Sequence, residues 1–168
     1  MLTNTLFYCI IHVCFRMVYL MSTIDEIVSE WERDAKIDPT DISSASLQTP
    51  RLHAKYLRIL SHWKQKQATL KSNLNNIKQT KTRYYRGEMS REELKEYGWE
   101  QYQLKAPLRS EMEQVLNADA DVNKVKMQLE LVETIIYVLE SIMKAIASRD
   151  FTISNYIKMR KFENGEMN

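Results

Sequence analysis

Hydrophobic positions along this chain recur at helical rather than strand spacing. Between Thr23 and Lys36, Ile24, Ile27, Val28 and Trp31 share one face, and Thr23 with Glu26 makes a capping-box pair at the start. The polar stretch IDPTDISSASLQ follows as a linker. Thr49 and Pro50 then predict the start of a helix that meets no breaker until Gly87. Within it Tyr56, Trp63, Leu70, Ile77 and Tyr84 recur every seven residues, with Leu52, Ile59 or Leu60, and Leu74 between them. That is a packing seam on a helix of roughly 55 Å. Ser90 and Glu93 predict a capping box for a short helix ending near Gly98. A further helix is expected around Pro107 to Leu116, and Asn117 and Asp119 can cap another that runs through Ile146. Asp150 and Thr152 predict a break and a final cap for FTISNYIKMRKF.

The penultimate helix bears on assembly. Val122, Val125, Leu129, Val132, Ile136, Leu139, Met143 and Ile146 alternate in steps of three and four. Leu131, Ile135, Val138, Ile142 and Ala145 form a second such seam on another face. One seam can pack on the chain's own long helix, whereas a short chain has little left to cover the other. Homo-oligomerisation through Leu129, Val132, Ile136, Leu139, Met143 and Ile146 is therefore expected. The alternative is a helix buried centrally in a monomeric bundle.

Composition supports the helical reading. Only three glycines and three prolines occur in 168 residues, and 27% of the residues are charged. The fold class expected is all-α, with long helices forming a helical bundle or coiled-coil-like oligomerising module. Four segments follow: an apolar extension over 1–20, an acidic helix and linker over 21–48, the long basic helix with short helices over 49–117, and C-terminal oligomerisation helices over 118–168. The extension MLTNTLFYCIIHVCFRMVYL has no basic n-region or small-residue cleavage site, and His12 and Arg16 interrupt its apolar run. It is expected to be a mis-called start, with translation beginning at Met21, and no membrane association is expected. Cys9, His12 and Cys14 have no second ligand cluster, so no zinc site is expected. With no cysteine beyond residue 20, the remainder has no disulfide framework, as in a reducing cytoplasm.

Chemistry is sparse. His12, His53 and His62 have no triad partners or metal-pair spacing, and three scattered glycines build no phosphate loop. Neither an enzyme nor a cofactor is expected. Charge is more informative, because the net +2 hides a polarised chain. Residues 21–50 are net −5 and residues 88–150 net −5, whereas residues 51–87 carry ten basic residues and no acid. Helices ordinarily mix signs, so an acid-free stripe attracts a polyanion. Its densest part is Lys78, Lys81, Arg83 and Arg86 around Tyr84 and Tyr85, with Lys71 one to two turns before. Single-strand binders combine such cations with aromatic faces for stacking bases. Tyr84 completes the heptad seam and reads as core, which leaves Tyr85 as the stacking residue. The competing reading is that the acidic blocks match part of the stripe internally.

The segments KIDPTDI, AKYLRILSHWKQKQ, RYYRGEMS, SEMEQVLNADADVNKVKMQLEL and AIASRDFTISNYIKMRKFENG, in this order, resemble the UvsY-type recombination mediators of T-even-like bacteriophages. The similarity runs from Met21, which aligns with the family's usual start, to Gly165. It implies ring-like oligomers on single-stranded DNA that contact the phage single-strand-binding protein and help the phage recombinase displace it. The setting would be the cytoplasm of the infected bacterial host. The family's basic pair before the paired tyrosines, spaced Lys-x-Arg, falls here on Gln79 and Lys81, with Lys78 and Arg83 flanking. The resemblance points to Lys78, Lys81 and Arg83; with the charge and aromatic pattern the DNA-binding set expected is Lys71, Lys78, Lys81, Arg83, Tyr85 and Arg86, and reversing Lys81 and Arg83 to Glu is expected to weaken binding while sparing the oligomer. The family's oligomerisation is associated with its C-terminal helices. A second hypothesis is a coiled-coil or phage assembly scaffold whose basic helix meets an acidic protein partner.

Overall fold

A computed structural model describes residues 23–165, all of whose regular structure is helical. The readings of residues 1–20, including Cys9, His12 and Cys14, lie outside the described residues. Helix α1 covers residues 23–34, α2 Ile42–Tyr85, α3 Arg91–Tyr97, α4 Met112–Ala118 and α5 Ala120–Glu163. The two long helices are 44 residues each, about 66 Å at the α-helical rise. No helix among the described residues is long and apolar enough to cross a membrane.

Three helix boundaries differ from those expected. Helix α2 begins at Ile42, inside the stretch read as linker. Asp38 closes a turn by accepting the Thr40 N–H and hydroxyl, and Asp41 accepts the Ser44 N–H at 3.1 Å as the true N-cap. Thr49 does not cap, and its buried Oγ1 has no partner. Pro50 lies within the helix, with no N–H to give the carbonyl one turn back. Ala45, Leu52 and Tyr56 are buried at helical spacing on either side of the proline, so one packed face carries the helix across it. Helix α5, likewise, does not break at Asp150. The Thr152 hydroxyl donates to the Ser148 carbonyl instead of capping, while Ile146, Arg149 and Ile153 continue the buried face. Helix α4 starts at Met112 rather than near Pro107, after a turn in which the Glu111 N–H donates to the Leu108 carbonyl.

Other boundaries coincide. Gly87 takes φ +70° after α2, where the Glu88 N–H reaches the Arg83 carbonyl and the Gly87 N–H reaches that of Tyr84. Ser90 and Glu93 form a reciprocal capping box on α3, which Gly98 ends in the left-handed conformation. Asp119 accepts the Asp121 and Val122 N–H groups at 2.9 and 3.0 Å and so caps α5.

The chain forms two compact units. Among the described residues, the first contains those from 23 to 65 together with 132 to 165. Its core includes Ile27, Leu52, Tyr56, Leu60 and Trp63 with Val132, Ile135, Ile136, Leu139, Ile142 and Ile146. Tyr56 is fully buried; its ring meets Trp31 edge-on at 5.5 Å and its hydroxyl donates to Asp34. Arg149, also buried, donates to the Ala35 and Lys36 carbonyls and thereby satisfies orphan acceptors at the end of α1. The second unit, Lys66–Leu131, centres on Met112, Leu116 and Val122, with Leu74, Ile77 and Tyr85 packed against them.

Most of both apolar seams of α5 is covered within one chain, Ala145 of the second being exposed. Val132, Ile136, Leu139 and Ile146 of the first are buried, as are Ile135 and Ile142 of the second; Leu129 and Met143 are half-buried. The first unit supplies two further helical segments, α1 and the start of α2, so a second seam needs no second copy. The large apolar residues that α5 leaves outside are Met127, Tyr137, Phe151, Ile157, Met159 and Phe162.

Candidate nucleic-acid interface

Leu52, Tyr56, Leu60 and Trp63 in the first unit and Leu74, Ile77 and Tyr85 in the second hold α2 down, which leaves most of its lysines and arginines outward. Several then meet acids from other elements. Lys55 pairs with Glu30 and Asp34 at 2.7 and 2.6 Å, and Lys64 with Glu140 at 2.9 Å. The acid-free stripe is thus partly matched internally, by pairs that are mostly solvent-exposed and worth about 0–1 kcal/mol each.

Lys81 is a different case. It is only 6% exposed, with Nζ 3.1 Å from Asp119 and 2.6 Å from Asp121. The same ammonium lies 4.0 Å from the centre of the Trp99 ring and 5.7 Å from that of Tyr84. Asp119 collects a Tyr85 hydroxyl at 2.7 Å besides Lys81 and the two backbone N–H groups. Burial alone would raise the Asp119 carboxyl; the hydrogen bonds from Tyr85, Val122 and Lys81 outweigh it and hold the carboxyl below its ordinary value. Burial, and then Asp119 itself, push the Tyr85 phenol up.

Around this centre Tyr84, Tyr85, Trp99 and Tyr102 meet edge-on with ring centres 5.1–5.8 Å apart. Tyr97 stacks on Trp99 at 4.7 Å and 22°. The sequence-derived set therefore divides. Lys81 is buried against Asp119 and Asp121, and the Tyr85 hydroxyl donates to Asp119. An ion held by two carboxylates in a low-dielectric site satisfies its charge there. Lys78 is half-buried and has no acidic partner among the described residues. Arg83 is exposed and donates to both carboxylate oxygens of Glu93, at 2.8 and 3.1 Å. Arg86 is exposed, with Glu88 no closer than 3.8 Å, and Lys71 is exposed. Sequence reading passed over Trp99, Tyr102 and Asp121. The one signal for Trp99 and Tyr102 is three aromatics, Tyr97, Trp99 and Tyr102, inside six residues with no helical period, and Asp121 carries none.

Among the described residues no group of His, Cys, Asp or Glu is placed to hold a metal ion. A family model described as "Recombination, repair and ssDNA binding protein UvsY" matches residues 30–166. The chain belongs to the UvsY family. A UvsY relative, the recombination protein uvsY of Enterobacteria phage T4, is 27% identical over 143 residues, covering 85% of this chain and 98% of that protein. The fold agrees. A crystal structure of the bacteriophage T4 recombination mediator protein UvsY matches with a TM-score of 0.73 at 25% identity, over 82% of this chain and 98% of that one. A second lattice of the same protein gives 0.72 at 26% identity, over 83% and 96%. UvsY membership places this chain among bacteriophage recombination and repair proteins of the mediator kind, with an all-α fold.

Proposed function

We propose that the protein binds single-stranded DNA as a ring-like homo-oligomer and loads the phage recombinase in place of the phage single-strand-binding protein, in the cytoplasm of the infected host. The observation that carries this reading is the end of α2. Lys78 and Arg86 stand on a helix with no acid of its own from Arg51 to Gly87; Lys78 has no acidic partner among the described residues, and Arg86 has only a long, exposed pair with Glu88 at 3.8 Å. Lys71 and Arg83 extend the cationic surface, and Lys81 supports it from beneath by fixing Tyr84 and Trp99. Phe151, Met159 and Phe162 recur at helical spacing on α5 and are more than half exposed, which suits them to bury against another copy. They replace Leu129, Val132, Ile136, Leu139, Met143 and Ile146 as the contact surface in this reading, four of which are buried and two half-buried.

No turnover is required. An oligomer that binds the strand in the shape the recombinase prefers shifts occupancy by differential affinity, and several weak sites on one ring raise avidity. The test is strand exchange by the phage recombinase on DNA already coated with single-strand-binding protein. Wild-type protein is expected to relieve the inhibition. The Lys78→Glu, Arg86→Glu double variant is expected to relieve it at least about tenfold less well, with unchanged circular dichroism and sedimentation. Equal rescue by the variant removes the α2 surface from the mechanism. Failure of the wild type favours the scaffold reading with an acidic protein partner.

A further inference from the structure

A groove of about 460 Å³ lies within the second unit, beside the aromatic cluster, in the range of about 300–1,000 Å³ usual for ligand sites. Asn73, Asn76 and Thr80 line one side, spaced by three and four so that they share a face of α2. Tyr97 and Trp99 line another, and Asp121 joins them. We infer that this groove holds one unstacked nucleobase of a bound single strand; the inference rests on the single-strand reading above and names where a base goes.

Four features fit a base. Tyr97 is 51% exposed, so much of its ring is open to a further layer. It is already stacked on Trp99, and Trp99 is held by Lys81, which makes the platform rigid before a ligand arrives. The side-chain amides of Asn73 and Asn76 have no partner among the described residues, and each offers donors and an acceptor to a base edge. Asp121 accepts from Lys81 and retains lone pairs for a base N–H. A phosphate, by contrast, would face the Asp121 carboxylate. Every nucleobase has a π face, and amides and a carboxylate accommodate various edges, so binding here would be tolerant of sequence. Arg83, one turn beyond Thr80 on α2, donates to Glu93 and would have to exchange that carboxylate for a phosphate flanking a base so placed.

The test compares a labelled 12-mer of thymidine with an abasic 12-mer of the same backbone, against the full-length protein and its Tyr97→Ala and Asn76→Ala variants. Both residues are exposed, and circular dichroism with sedimentation checks that the variants assemble. Tyr97→Ala is expected to weaken thymidine binding roughly 5–150-fold, from about 1–3 kcal/mol per stacked base, and to leave abasic binding unchanged. Asn76→Ala is expected to shift in the same direction by less. Equal loss on both strands, or no loss on either, overturns the nucleobase site while the single-strand reading stands. Absence of wild-type binding to either strand overturns both.

Discussion

Lys81→Glu is expected to unfold much of the second unit rather than to trim DNA affinity. The substitution removes the cation between Asp119 and Asp121 and puts a third carboxylate into a site that is 6% exposed. Breaking a buried pair by deleting one partner costs about 3–5 kcal/mol, and the added like charge raises that. Domain stabilities are of the order of 5–15 kcal/mol, so a large share of the total is lost. The measurement is urea unfolding followed by near-ultraviolet circular dichroism, which reports the Trp99 and tyrosine cluster. A variant with wild-type stability and weakened DNA binding would show Lys81 to be a surface contact after all. The paired Lys81 and Arg83 reversal is a poor probe of DNA binding for the same reason, and Lys78 with Arg86 is a better one.

Asp119→Ala is expected to cost about 3–5 kcal/mol. It leaves Lys81 with Asp121 alone, removes the acceptor of the Tyr85 hydroxyl, and uncaps a 44-residue helix. Loss of the cap by itself accounts for about 0.5–2 kcal/mol. Asp119→Asn separates the cap from the rest, because its one amide oxygen still caps from the Oδ1 place, while an uncharged amide nitrogen takes the Oδ2 place that accepts from Tyr85 and Lys81. The pH dependence has a definite sign. Asp119 titrates below its ordinary value of 3.8, so its ionised form stabilises the fold fully above that value. The gap between wild type and Asp119→Asn is expected to be constant near neutrality and to close as pH falls through the depressed carboxyl. Thermal melts at a series of pH values check it, and a gap that widens in acid would contradict the pairing.

Local chemistry made most elements legible, and tertiary packing decided the rest. The capping box at Ser90 and Glu93, the glycines at 87 and 98 and the Asp119 cap are signals that act within a few residues, and each stands where it was read. Pro50 and Asp150 are equally strong local signals, yet both lie inside helices. In each case buried residues on both flanks, such as Ala45 with Leu52 and Ile146 with Ile153, outweigh the break. The seams of α5 were correctly seen as apolar, but which partner covers them depends on elements that periodicity does not place.

The candidate site divides in the same way. Charge counting found the basic end of α2, and it could not foresee that Asp119 and Asp121, 38 and 40 residues beyond Lys81, enclose one of its lysines. An acid-free helix shows only that neutralising partners are absent from the helix itself. Trp99 was passed over because it follows a glycine and lies on no periodic face, so its cation–π contact leaves no mark in the spacing.

Under the proposed function the protein grips single-stranded DNA through the cationic end of α2. The most direct test is the affinity of the full-length protein for a labelled oligothymidine over a salt series, with duplex DNA as competitor. The account predicts binding that duplex does not displace, with log affinity falling against log salt at about −0.7 per neutralised phosphate. A folded oligomer that binds no single strand, or binds it with no dependence on salt, would contradict it.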